Sequence, residues 1–175
     1  AEYSAQLIPD ICRYYDVDLI TPELKTTDLA LEGNCQLRSP EWFNLNARHY
    51  ERFVYHIGNS GFHTYMFDLL ERHPGVVVLH DFFLGHAMAL PAAEGKEPYH
   101  WRRLLRDAHG YQAVAESLDP MTQAQTIWKY PVNLDVLHNA TGVIVHSEYA
   151  RELVGIWYDK DFEEDWRVIP LPRRL

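Results

Sequence analysis

A histidine and an aspartate directly follow the most apolar run of the sequence. Pro74-Gly75 signals a turn, and residues 76–79 (VVVL) form an uninterrupted β-branched and apolar stretch. Such a run is typical of a strand buried on both faces, as in parallel sheets covered by helices. His80 and Asp81 therefore fall at the carboxyl end of this strand, where open α/β sheets bind their ligands. This pair predicts a site that donates hydrogen bonds or shifts protons near neutral pH.

Two more predicted strands also end in histidine. Residues 52–56 (RFVYH) end at His56, and residues 141–146 (TGVIVH) end at His146. Because the carboxyl ends of parallel strands meet at one edge, we expect these imidazoles to approach His80 in one polar cleft. The alternative is that one or two of them only satisfy backbone groups at the strand ends. The polar residues expected beside them are Asn59, Asp81 and Ser147.

A metal site is the alternative use of the same residues. His80, Asp81 and His86 are residue types that bind zinc or iron, and a metal-dependent hydrolase centred on them is the rival interpretation. Their spacing matches no compact metal motif, and the chain has neither an HExxH sequence nor a cysteine pair at ligand spacing. We therefore expect no metal. A serine nucleophile has no GxSxG context, and Ser147 is expected to cap a helix.

Strands and helices alternate along the chain, which predicts an α/β fold with a mostly parallel sheet and helices on both faces. No Gly-rich phosphate loop is present, and a loop is predicted over residues 22–38. The other predicted elements are strands at 17–20 and 167–170 and helices at 2–15, 40–50, 62–73 and 148–157.

Residues 82–139 are predicted as a mostly helical insertion. Breaks are expected at Pro91, 94–95, Gly110, 119–120 and 130–131. Within the insertion, the segment YHWRRLLR places an aromatic ring beside three cations, which suits contact with an anionic membrane or with a phosphate-bearing acceptor. A solvated surface helix is the alternative. The residues concerned are Trp101, Arg102, Arg103 and Arg106.

Composition limits the class of protein. The chain has 175 residues, of which 47% are hydrophobic, and this suits one domain with a substantial core. The net charge of −9 argues against nucleic-acid binding. Cys12 and Cys35 do not have the spacing of metal ligands and are interpreted as reduced thiols. No signal peptide is recognised, so we expect a cytoplasmic location. Peripheral contact with the inner face of the membrane is a further expectation.

Three blocks of sequence resemble the N-terminal domain of retaining, nucleotide-sugar-dependent glycosyltransferases of the GT-B fold, of the family 4 type found in bacterial polysaccharide synthesis. The blocks are YHIGNSGFHTYMFDLLERHPGVVVLHDFFLGH, LHNATGVIVHSEYARELV and VIPLP. The resemblance implies a Rossmann-like acceptor-side domain over residues 1–170 and the start of an interdomain linker at 171–175. The family's first strand with its Gly-rich loop has no counterpart here, nor has its C-terminal nucleotide-sugar domain.

The resemblance also implies roles for single residues. His80 falls on the family's active-site histidine near the transferred sugar and, with Asp81, is expected to be catalytic. Transfer of a hexose to a carbohydrate or lipid-linked acceptor is implied, with the nucleotide-sugar bound by the C-terminal domain and no further cofactor. This chain is not expected to be active alone, and a non-catalytic sugar-binding module is the other alternative. The residues expected to bind substrate are Gly58, Asn59, Ser60, His56, His86 and Ser147.

Overall fold

The structure is a computed structural model that describes residues 2–23, 33, 35–158 and 166–171. The chain divides into two compact units, one formed by residues 1–51 with 170–175 and the other by residues 52–169. Residues 159–165 and most of the predicted linker lie outside the described residues. The predicted α/β class with a parallel sheet is confirmed.

The first unit contains a small parallel sheet. Helix α1 (Glu2–Ile11) ends earlier than predicted, and strand β1 (Asp18–Ile20) confirms the predicted strand. Strand β2 (Gln36–Arg38) pairs with β1, so the prediction of a loop throughout residues 22–38 was wrong at its end. A strand of three residues is too short to show a pattern of alternating side chains in the sequence. In the structure, an ion pair between Arg38 and Asp18 supports the pairing of β2 with β1.

Helix α2 (Pro40–Asn46) begins as the sequence predicts. The hydroxyl of Ser39 accepts a hydrogen bond from the Trp42 amide at 3.1 Å, and Pro40 occupies the first helical position. A 3-10 turn at Ala47–His49 continues the helix. The Tyr50 hydroxyl then donates to Asp18 at 2.5 Å, which ties the end of this segment to β1.

The second unit is built on a four-stranded parallel sheet whose strands follow each other in chain order. Strand β4 (Gly75–Leu79) lies in its interior and is almost wholly buried, as its apolar run predicts. The boundaries of the other strands differ from the predicted ones by one or two residues. The strands are β3 (Val54–Ile57), β4, β5 (Ala140–Val145) and β6 (Trp166–Val168).

Helices connect these strands. A 3-10 turn at Gly61–His63 leads into α3 (Thr64–Arg72), and α8 (Glu148–Trp157) follows β5 at the predicted position. The described residues include no helix that is both long and apolar enough to cross a membrane.

The region between β4 and β5 is helical, as predicted. Pro91 does not break α4 (Gly85–Ala93), because it lies near the end of the helix and removes only one late hydrogen bond. Gly110 does interrupt α5 (His100–Leu118), with φ of 76° and ψ of −175°. Helices α6 (Gln123–Lys129) and α7 (Leu134–Asn139) complete the insertion.

Helices α4, α5 and α6 pack against one another. The closest approach is at Gly85, where a side chain would collide with the backbone of Ile127 in α6. The amide of Leu84 donates to the carbonyl oxygen of Pro131 at 2.8 Å, and the buried Asn133 donates to that of Phe82 at 2.7 Å. The insertion is therefore fastened to the chain that leaves β4.

Candidate functional site

Three histidines at the carboxyl ends of β3, β4 and β5 form a continuous chain of rings, which we call the histidine row. Nδ1 of His56 lies 3.2 Å from Nε2 of His80, and Nδ1 of His80 lies 3.0 Å from Nε2 of His146. Nδ1 of His146 lies 2.8 Å from the carbonyl oxygen of Ile169, just after β6. The ring centroids are 5.4 and 5.0 Å apart. The prediction that the three imidazoles lie close together is therefore confirmed.

Strand register brings the rings together. The pairing of β4 with β5 brings His146 level with His80, and the pairing of β5 with β6 brings it level with Ile169. His56 lies two residues before Gly58, which is level with His80, and residues two apart in a strand point to the same face. His56 and the position level with His80 therefore lie on the same face of the sheet.

Both ring nitrogens of His80 contact a neighbouring imidazole. Burial, together with the neighbouring histidines, lowers the pKa of His56 to about 4. Burial also lowers the pKa of His80 to about 4, and the carboxylate of Asp81 acts in the opposite direction. These two rings are therefore uncharged at neutral pH, and they exchange hydrogen bonds as neutral imidazoles.

Acid is expected to destabilise the second unit through these rings. Between the ordinary histidine pKa of 6.5 and the lowered value of about 4, the unfolded chain binds protons that folded His56 and His80 do not bind. The free energy of unfolding should therefore fall as the pH is lowered through this window, with His109 contributing in the same direction. Urea midpoints measured from about pH 7 to about pH 4.5 test this expectation.

A matched variant isolates the contribution of the row. His80→Gln removes one of the imidazoles whose pKa is lowered in the folded chain. As the pH is lowered, the urea midpoint of this variant should therefore fall less steeply than that of the parent protein. His138→Gln, at an exposed position on α7, is the control for the loss of a histidine elsewhere in the same unit. Equal slopes in the parent and in His80→Gln would contradict the expectation.

The loop after β3 is fixed to the residues around the row. The backbone amide of Asn59 donates to Oδ2 of Asp81 at 2.8 Å, and the amide of Ala87 donates to Oδ1 of Asn59 at 3.0 Å. Nδ1 of His63 donates to the carbonyl oxygen of His56 at 2.8 Å. A Cβ at Gly58 would lie only 3.1 Å from Asp81 Oδ2, so glycine permits this close approach.

Ser60 and Ser147 each cap the helical segment that follows them in the chain. Ser60 accepts a hydrogen bond from the amide of Phe62 at 3.2 Å and so caps the 3-10 turn. Ser147 accepts one from the amide of Ala150 at 3.2 Å, which confirms it as the cap of α8. Binding of substrate by Ser60 or Ser147 stays a prediction.

His86 has an aromatic partner in the helical insertion. It lies exposed on α4 and stacks on the ring of Trp128 with centroids 6.1 Å apart. No group of three or more histidine, cysteine or acidic side chains is placed to hold a metal ion in the described part of the chain, which includes His80, Asp81 and His86. The metal-dependent hydrolase therefore has no preformed three-ligand site among these residues.

The basic segment of the insertion is a surface helix in the first half of α5. Leu104 and Leu105 are buried on its inner side, and Trp101 is half-buried. Arg102 and Arg103 are exposed, and Arg106, also exposed, pairs with Asp107 at 2.7 Å. Membrane contact by this segment stays a prediction.

Two histidines that matter in the structure were not singled out from the sequence. His63 supports β3 through the carbonyl of His56, and its position seven residues later in a Gly-rich turn is the one available signal. Nε2 of His109 accepts a hydrogen bond from the amide of Val132 at 3.2 Å. His109 packs among the rings of Tyr130, Trp157 and Tyr158, and burial lowers its pKa to about 4, which indicates a structural role.

The row can do the chemistry of neutral imidazole, which is to accept a proton at one nitrogen while donating one from the other. Asp81 lies beside it, exposed, and can stabilise a positive charge that forms on His80. Both groups lie at the carboxyl edge of a parallel sheet, where ligands bind in this fold class. Comparison of the chain with family models, with curated proteins and with solved structures gives no match.

Proposed function

We propose that this chain is the acceptor-binding, Rossmann-like N-terminal domain of a GT-B glycosyltransferase that moves a hexose from a nucleotide-sugar to a carbohydrate or lipid-linked acceptor. The observation that supports this best is the histidine row at the carboxyl edge of the parallel sheet. The sequence resemblance gives the reaction class, and the row gives groups suited to it.

The chemistry of the edge favours a hydroxyl over a phosphate. Uncharged His56 and His80, with the carboxylate of Asp81, offer hydrogen bonds but no positive charge near neutral pH. A departing diphosphate needs cations or helix N-termini to stabilise its charge. A sugar hydroxyl needs only to be held against the anomeric carbon and to lose its proton. The edge therefore suits the acceptor, and the donor is assigned to a second domain.

Transfer by the complete gene product tests the reaction class. The protein is incubated with UDP-glucose, UDP-galactose or GDP-mannose, and with octyl glucoside or octyl mannoside as the acceptor. We expect a disaccharide glycoside with the anomeric configuration of the donor retained. Absence of product from every donor and acceptor pair would overturn the proposed activity.

A binding experiment on the 175-residue chain separates the alternatives. In chain labelled with ¹⁵N-histidine, octyl glycosides should shift the ring signals of His56 and His80 but not those of exposed His138. Nucleotide-sugar alone should shift none of the three. Shifts with glycosides but no transfer by the complete protein would instead indicate a sugar-binding module.

A further inference from the structure

We propose that the stacked rings of His86 and Trp128, which we call the aromatic platform, bind one sugar ring of the acceptor. The apolar face of the sugar lies against the indole of Trp128, and hydroxyls at its rim form hydrogen bonds with the imidazole of His86. That this sugar belongs to an acceptor rests on the proposed function. The preference for a neutral sugar over a nucleotide does not, because it follows from the charges around the platform.

Both rings of the platform are exposed, yet the helices that carry them are packed closely together. The ring centroids are 6.1 Å apart and the ring planes are 17° apart, and 64% of Trp128 is exposed. His86 directly follows Gly85, and Trp128 directly follows Ile127, the residues at which α4 and α6 leave no room for a side chain on position 85. A surface that is already ordered loses little conformational entropy when a ligand binds. The platform is therefore organised before any ligand arrives.

The platform borders the candidate site. The backbone amide of Ala87, the residue after His86, donates to Oδ1 of Asn59 at 3.0 Å. The backbone amide of Asn59 donates to Oδ2 of Asp81 at 2.8 Å. Asn59 therefore links the first turn of α4, which carries His86, to the carboxylate beside the histidine row.

The chemistry of the platform matches a sugar ring. The face of an aromatic ring carries partial negative charge, and the C–H groups on one face of a sugar carry partial positive charge, so the two faces attract each other. The hydroxyls at the rim of the sugar need hydrogen-bond partners, which the ring nitrogens of exposed His86 supply. An exposed tryptophan otherwise keeps a large apolar surface in water. A ligand that is apolar on one face and polar at its rim satisfies both groups at once.

The charges around the platform favour a neutral ligand. Lys129 directly follows Trp128, but its Nζ lies 2.8 and 2.7 Å from the two carboxylate oxygens of Glu116. Asp81, joined to α4 through Asn59, is exposed and adds a carboxylate. A nucleotide base also has a face that stacks on indole, but its phosphates would meet a cation that is already paired and a carboxylate that repels them. A sugar without phosphate meets no such repulsion.

The platform gives the predicted substrate binding by His86 a definite form. The sequence predicts the role of His86 but not its contact, and Trp128 was not singled out from the sequence. Rings and hydroxyls that do not react are bound equally in the ground state and in the transition state. Loss of the platform should therefore raise the KM for the acceptor and leave kcat largely unchanged, the opposite of the effect expected at His80.

The indole signal of Trp128 reports on binding directly. In the 175-residue chain labelled with ¹⁵N-tryptophan, at least one of the methyl glycosides of glucose, galactose and mannose should shift this signal, which its loss in Trp128→Phe identifies. The indole of buried Trp166 is the internal control and should not move. Absence of a shift with all three glycosides would overturn the proposal. A stronger response to 1,6-hexanediol, to GMP or to UMP would overturn it too.

Variants at position 128 test whether the indole carries the affinity. In chain labelled with ¹⁵N-histidine, the His86 ring signals should show glycoside binding about tenfold weaker in Trp128→Ala, whereas Trp128→Tyr should retain most of it. Tyr111→Ala removes another exposed ring, on α5, and should leave the affinity unchanged. If Trp128→Ala does not fold, His86→Ala removes the other ring of the platform, with the Trp128 indole as readout. Parental affinity in the folded alanine variant would overturn the proposal.

Kinetics of the complete protein separate the platform from the reaction. Trp128→Ala should raise the KM for the octyl glycoside acceptor about tenfold with little change in kcat, and Trp128→Tyr should restore most of it. A folded Trp128→Ala protein with the parental KM would overturn the use of the platform for the acceptor. Absence of any transfer activity would overturn the proposed function instead, and the Trp128 indole signal would still decide whether the platform binds a sugar.

Discussion

Replacing His80 by alanine in the complete protein is expected to lower kcat by at least about tenfold, and by up to about 10⁴-fold if proton transfer is rate-limiting. His80 is the middle ring of the row, so its removal takes away a hydrogen-bond partner of both His56 and His146. Loss of a group that takes part in proton transfer lowers kcat more than it changes KM. KM should therefore change much less than kcat.

Steady-state transfer kinetics over a range of acceptor concentrations separate these two effects. His80→Gln is the conservative partner variant and should retain more activity than His80→Ala, since an amide can still donate and accept. His138→Ala on the surface of α7 is the control for loss of a histidine elsewhere. A folded His80→Ala protein with parental kcat would remove His80 from the mechanism.

Gly85→Ala is expected to destabilise the second unit by about 3 kcal/mol. Gly85 is the first residue of α4, and an added Cβ would lie 2.0 Å from the carbonyl oxygen of Ile127 and 2.8 Å from its carbonyl carbon. These are backbone atoms of α6, which cannot rotate away as a side-chain end can. The two helices would have to separate, and buried Ala87 and Met88 would lose packing.

Two other glycines provide a graded comparison in urea unfolding. At Gly61 an added Cβ would meet only the end of the Leu90 side chain, at 2.7 Å, and a change of rotamer can relieve that contact. At Gly33 it would meet no atom of the described residues within 4 Å. We expect the loss of stability to rank Gly85→Ala above Gly61→Ala, with Gly33→Ala near zero. Equal midpoints for all three variants would contradict the role of Gly85.

The sequence predicts the edge of the sheet better than its atomic detail. The run at residues 76–79 marks a buried strand because nothing polar interrupts it, and this places His80 at a strand end. The rule that parallel strands share an edge then brings His56 and His146 to the same place, as the structure has it. The pattern does not show which nitrogen faces which, since that depends on side-chain rotation and on the carbonyl of Ile169.

Other features depend on contacts between segments far apart in the chain. Gly85 looks like any glycine before a helix, and only the crossing with Ile127 shows why a side chain cannot fit there. Proline usually ends a helix, but Pro91 is tolerated because the last turn of α4 needs few hydrogen bonds. Strand β2 forms by pairing with β1. Its three residues are too few to show the alternation of side chains by which a strand is predicted from sequence.

The row also makes the alignment of all four strands a shared property. A slip of one residue between any two neighbouring strands would turn the side chains of one of them to the opposite face, and a ring or the terminal carbonyl would leave its partner. A disturbance of β6 that displaces Ile169 would remove a hydrogen-bond partner of His146, and the His146 ring is in turn the partner of His80. The imidazoles therefore link the position of β6 to that of β3, at the opposite edge of the sheet.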